Sequence, residues 1–149
     1  MDIFQYPAVG FHFMAVFEIF PQTPNDITFQ EISGLTSTIE TETFQEGGEN
    51  RFAHQLPKGV KFSDLTFKRG KIIGSGIVLW CREAVHNFEF KPTNITITLL
   101  NDLHVPVSAW YVVNAYPVEW SVSGFNATEN SVVMETIKLK YNHFVTLAI

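Results

Sequence analysis

Gly74-Ser75-Gly76 follows the basic pair Lys68-Arg69 and opens a run with helical spacing. Such an order can cradle a phosphate, because glycines let backbone N–H groups approach an anion at a helix N-terminus. The dinucleotide fingerprint needs a third glycine three residues after the second, but Leu79 stands there, and the GK[ST] triplet is absent as well. A strand-to-helix corner accounts for the glycines without a ligand. The five histidines (His12, His54, His86, His104, His143) are scattered without His-x₃-His spacing, and one Cys is too few for a thiolate zinc set. Ser33-Gly34 and Ser123-Gly124 lie outside any G-x-S-x-G nucleophile elbow. Glu40 and Glu42 share a strand face, with Cβ atoms within about 7 Å. Paired carboxylates do acid–base work only where other groups converge on them, so a solvated face is the simpler reading. The residue types thus assign no catalytic, cofactor or metal role, and the chain is expected not to be an enzyme.

The elements that carry these residues read as strands. Gly10 to Phe20 alternates with apolar residues on both faces, and Ile27 to Gly34 resumes extended structure with Gly34 at a bend. From Thr36 to Phe44, Thr36, Thr38, Glu40 and Glu42 share one face, as a strand lining water requires. Glu46-Gly-Gly-Glu-Asn and the segment through Pro57-Lys-Gly read as a loop whose length suits a contact and is equally explained by flexibility alone. Phe62 to Phe67 alternates as a strand ending at a Lys68-Arg69-Gly70 turn. Ile77, Cys81, Ala84, Val85 and Phe88 predict the one helix, over about residues 75–87, with Ser75 as its N-cap. Thr93 to Leu100, Val107 to Val122 (bent near Ala115-Tyr-Pro) and Ser131 to Tyr141 complete the strands, with turns at Asn101 and Asn126. The sum is a mostly antiparallel β-sandwich or partial barrel with one helix, in a single domain over residues 1–149.

A hydrophobic content of 46%, with 14 Phe, supplies enough apolar area for a core and excludes a disordered class. Cys81, in the apolar run Ile77 to Cys81, reads as a buried thiol, and a reducing folding compartment suits a single cysteine. The start has no basic n-region or small-residue cleavage site, so no secretory signal is expected. No run approaches the roughly 18 to 20 apolar residues that span a bilayer. Net charge is −5, which does not suit a general nucleic-acid binder. Its distribution is uneven: residues 1–50 hold eight acids and no Lys or Arg, whereas residues 51–91 hold eight bases against three acids. Two such regions on different surfaces would favour head-to-tail contact between copies.

Several spaced motifs then line up. Tyr6-Pro-Ala-Val-Gly-Phe-His-Phe, Ile32-Ser-Gly-Leu, Glu46-Gly-Gly-Glu-Asn, Leu65-Thr-Phe-Lys-Arg-Gly, Trp80, Trp110, Asn114-Ala-Tyr-Pro-Val-Glu-Trp, Phe125-Asn-Ala and Glu135-Thr-Ile come in order over nearly the whole chain. Together they resemble the tail-tube proteins of contractile phage tails and extracellular contractile injection systems. The resemblance implies a β-sandwich subunit with one flanking helix, six of which complete a large β-barrel in a ring around a lumen. Rings would stack into a tube inside a sheath, bounded by baseplate or spike and terminator proteins, with protein or DNA cargo in the lumen. No cofactor and no membrane insertion are implied. The particle, a phage tail or an extracellular tail-like device, would be assembled from subunits made in the bacterial cytoplasm. Glu40, Glu42, Glu46, Gly47, Gly48, Lys68, Arg69 and Gly70 are the candidate assembly contacts, and charge reversal at Lys68 and Arg69 is expected to weaken tube growth or subunit solubility. The alternative is a monomeric β-sandwich or barrel whose many Phe residues line a site for a small apolar ligand.

Overall fold

The computed structural model describes residues 12–19, 28–45, 47–48, 53–70, 76–123 and 133–147. The Ser75 cap, Glu46 and the Asn126 turn lie outside them. Strand β1 (His12–Phe17) pairs antiparallel with β7 (Thr93–Leu100), which pairs with the first half of β8 (Pro106–Val122). The second half of β8 pairs with β9 (Met134–Lys140), and β9 with β6 (Leu65–Gly70). The circuit closes through one short extended segment: β2 (Thr28–Phe29) pairs with β1 and β3 (Glu31–Ser33) with β6. Between them, Gln30 N donates to Lys68 O at 3.0 Å. That link joins the two ends of the sheet path, so most of the apolar strands pair on both sides, which protects them from pairing with other chains.

One strand of 17 residues serves both halves because it kinks. Asn114 takes φ +56°, a conformation that Asn tolerates better than most residues. Its N–H donates to Asn94 Oδ1 at 3.1 Å, while Asn94 Nδ2 and Tyr111 Oη donate to the Glu18 carboxylate at 3.2 and 2.9 Å. The bend expected near Ala115 is thus built, and the hydrogen bond to Glu18 raises the Tyr111 phenol above its ordinary value.

The barrel interior is filled. Phe17 meets Phe67 and Trp80 at ring-centroid distances of 6.1 and 5.7 Å, and Phe29 meets Phe67 at 5.1 Å. Helix α1 (Gly76–Asn87) turns Ile77, Trp80, Cys81 and Ala84 into this core, and Trp80 Nε1 donates to Lys91 O at 2.9 Å. Each such large apolar side chain contributes roughly 1.5–3 kcal/mol on burial. These Phe residues therefore pack one another and do not line a ligand cavity.

Three expectations are corrected here. Residues 54–59, expected as loop, belong to β5 (His54–Phe62), which forms a hairpin with β4 (Ser37–Phe44). Pro57 is accommodated because the register shifts there, Glu40 facing Gly59 and Thr41 facing Pro57, so that Lys58 is the extra residue of a bulge. Lys68-Arg69-Gly70 is the second half of β6 and not a turn, since pairing with β9 continues to Gly70↔Met134. A further strand, β10 (His143–Leu147), follows the one expected to be last and pairs with β8.

Candidate assembly interface

The β4–β5 hairpin stands apart from the barrel sheet, and every β4 residue is exposed. Gly34 sets its departure. With φ +96°, a Cβ at this position would lie 2.0 Å from the Asp64 carbonyl oxygen, so no side chain fits. Ser63 N donates to Thr36 O at 3.2 Å beside it, and Phe62 at the base packs on Tyr141 and Phe144 at 6.0 and 5.2 Å. Register divides the hairpin into two faces. Thr38, Glu40 and Glu42 share one with Lys61, while Ile39 and Thr41 share the other with Val60 and Pro57. The expected hydrated face is present, but its opposite is not packed: Ile39 is 65% and Val60 58% exposed. Gly47 and Gly48 lie beyond β4 with open space around their Cβ positions, Gly48 at φ +92°.

Lys68 and Gly70 are half-buried, whereas Arg69 is 2% exposed and cannot be the surface contact expected of it. Alternation along β6 turns it inward, opposite Glu135 of β9. Arg69 Nη2 lies 3.4 Å from Glu135 Oε1, both side chains are buried, and the guanidinium sits 5.4 Å from the Phe29 ring centroid. A buried charge requires such a partner. The adjacent Cys81 thiol is pushed up to about 12, chiefly by burial and then by the Glu135 carboxylate, with Arg69 opposing. It is a core thiol, as its apolar run suggested.

Among the described residues, charges of the acidic and basic regions also meet on shared faces. Glu31 faces Lys68 across β3 and β6, and Glu40 shares its face with Lys61. Antiparallel pairing of the two regions interleaves these charges, so polarity along the chain does not carry over directly to these strands. Lys138 and Lys140 of β9 are likewise taken up, by Glu119 at 3.8 Å and Asp64 at 3.2 Å.

A feature that the sequence reading missed lies at the other end of the helix. A groove of about 290 Å³ is floored by Ala84 and Pro117 and walled by Val85, Phe88, Phe90, Tyr116 and Val118. Its trace in the sequence is Val85 and Phe88: both were expected on the apolar helix face with Ile77, Cys81 and Ala84, but they are exposed and line this groove. No cluster of three or more His, Cys, Asp or Glu side chains that could hold a metal occurs among the described residues. What the arrangement offers is surface: a two-faced hairpin, an apolar groove, and one free edge each on β4, β5 and β10 among the described residues.

Known proteins share this architecture. A chain of the anti-feeding prophage (AFP) baseplate, seen by cryo-EM with 6-fold symmetry, is 34% identical, with 95% of this chain and 96% of that one aligned and a TM-score of 0.81. A chain of the PVC sheath–tube complex, an extracellular contractile injection system in its extended state, is 22% identical over 100% and 99% of the two chains, with a TM-score of 0.78. Hcp1 from Salmonella typhimurium shares the fold at 13% identity over 91% of each chain, with a TM-score of 0.55. No curated protein sequence matches. Residues 9–145 match the family described as T4-like virus tail tube protein gp19. With nearly its whole length matched and the mostly-β, single-helix fold of those relatives, this chain belongs to the tail tube protein family and is a structural subunit of a contractile injection tube.

Proposed function

We propose that residues 1–149 act as one tail-tube domain, that six copies join into a ring around a lumen, and that rings stack into the inner tube. The observation that carries this reading is the β4–β5 hairpin, exposed on both faces. A two-stranded hairpin is marginal in water by itself, so a neighbour must complete it. The free edges of β4 and β10 suit strand pairing between copies, which would extend the subunit sheets into a continuous barrel.

In this arrangement Glu40 and Glu42 line the hydrated lumen, where cargo slides past without adhering. Glu46, Gly47 and Gly48 contact the next copy from the segment beyond β4, and Lys68 and Gly70 contribute from the rim of β6. Arg69 acts only from within the core. The role is non-enzymatic assembly. Sheath outside the tube, baseplate or spike and terminator proteins at its ends, and protein or DNA within it are the partners, in a phage tail or an extracellular particle made from cytoplasmic subunits. Electron microscopy and sedimentation of the purified chain test the reading. Six-fold rings or tubes with an open centre are expected; a chain that stays monomeric at high concentration and beside baseplate proteins would leave the ligand-binding alternative.

A further inference from the structure

Phe88 is placed where a side chain is costly. It follows the last residue of α1 at φ +53°, in the left-handed region that glycine enters freely and a bulky residue does not. Glu89 N donates to Glu83 O at 3.1 Å, folding the chain back over the final helical turn and holding that conformation. Yet the ring is 82% exposed, so burial within the chain does not offset the strain. It meets Phe90 edge-on at 4.9 Å, and Phe90 meets Tyr116 in the same way at 5.9 Å. This row of rings forms one wall of the apolar groove. A strained, exposed aromatic at the lip of a groove is placed as an interface anchor would be.

We propose that the groove between the end of α1 and β8, with Phe88 as anchor, seats the uncharged face of the β4–β5 hairpin of a second copy of this chain. The proposal rests on the tube reading above and names the contact that builds it. Charge selects the face. The groove lining carries no charged side chain, and burying an unpaired charge there would be costly, which excludes the face of Glu40, Glu42 and Lys61. The opposite face offers Ile39, Val60, Thr41 and Pro57, all uncharged, with Ile39 and Val60 exposed and adjacent. No hairpin residue of the same chain lines the groove, so the hairpin that seats there belongs to another copy. Seating the hairpin this way leaves its acidic face toward water, as a lumen requires.

Phe88→Gly separates the anchor from the fold. Glycine relieves the left-handed strain, so the thermal midpoint of the isolated subunit should hold or rise, while the concentration needed for ring or tube formation rises at least about tenfold. Ile39→Lys should raise that concentration as well, and Phe88→Cys and Ile39→Cys, each made with Cys81→Ala so that it carries a single cysteine, should form a mixed disulfide dimer only when combined under mild oxidation. Assembly of Phe88→Gly at the wild-type concentration, or no mixed disulfide from assembled variants, overturns the proposal while leaving the tube reading intact. Normal Phe88→Gly tubes that no longer hold sheath protein would assign the groove to the sheath and likewise overturn it. A wild-type chain that never assembles removes the tube reading and this contact together.

Discussion

The barrel and the β4–β5 hairpin are built from the same residue types and put them to opposite uses. In the barrel, Phe17, Phe29 and Phe67 pack one another, and even the charges Arg69 and Glu135 find their partners inside. In the hairpin, Ile39, Val60, Glu40 and Glu42 all face outward. A closed sheet satisfies its own backbone and side chains, whereas two strands have no interior in which to do so. Stability and assembly therefore reside in different parts of the molecule, and mutations should separate them.

The largest effect is expected at the buried ion pair. Removing one partner, as in Arg69→Ala or Glu135→Ala, strands the other charge in the core and should destabilise the subunit by about 3–5 kcal/mol. Replacing both, as in Arg69→Met with Glu135→Leu, should recover most of that loss, because two apolar side chains need no compensation. Urea titration below the assembly concentration measures each. Single variants that lose under 1 kcal/mol would mean that water reaches the pair and that the barrel is less closed than its pairing implies.

The same pair marks the boundary of what sequence reading could reach. Alternation in Thr93 to Leu100 and helical spacing in Ile77, Cys81 and Ala84 are local signals, and both elements lie where they were expected. Gly34 as a bend was legible from a residue suited to positive φ, and the kink in β8 was expected near Ala115-Tyr-Pro, although the residue that takes positive φ is Asn114. Arg69 was not legible, because the strand was expected to end at Lys68; the alternation of Leu65 and Phe67 carries on to place Arg69 inward, and the partner that makes its burial tolerable, Glu135, lies 66 positions away. Pro57 concealed β5, since proline argues against a strand unless a bulge absorbs it. The charge blocks misled for a related reason: polarity along the chain says nothing about which strands pair.

Gly34 joins the two regions, and Gly34→Ala should be next in size. The added methyl would meet the Asp64 carbonyl, and φ +96° is strained for any L side chain, so the subunit should lose about 2–3 kcal/mol. If the barrel shifted to admit the methyl at little cost, the urea midpoint would barely move and the hairpin would be less firmly rooted than this contact indicates.

Alkaline pH should act on the barrel through Cys81. The folded thiol keeps its proton to about 12, while the unfolded one ionises from about 9. Unfolding then releases a proton, so this contribution to stability is complete below pH 9 and is lost as pH rises toward 12, by about 1.4 kcal/mol per pH unit. Tyr141, pushed up to about 12 by burial and by Asp64, adds a loss of the same sign above pH 10. Cys81→Ala should flatten the slope that begins at pH 9. An unchanged slope would place the thiol in contact with water.

The smallest effect on the subunit should come from the hairpin acids, and its smallness is informative. Glu40 and Glu42 are exposed and make no ion pair among the described residues, so Glu40→Gln with Glu42→Gln should change subunit stability by no more than about 0.5 kcal/mol. Glu135→Gln, the same exchange in the barrel, leaves Arg69 facing a neutral amide and should cost several times more. Parallel urea titrations of these variants compare one residue type in two settings. A loss above 1 kcal/mol from the hairpin pair would show that the hairpin already leans on the barrel of its own chain. Equal midpoints would leave its two faces free for neighbouring copies, with Glu40 and Glu42 turned to the lumen and Ile39 and Val60 turned to the groove beside Phe88.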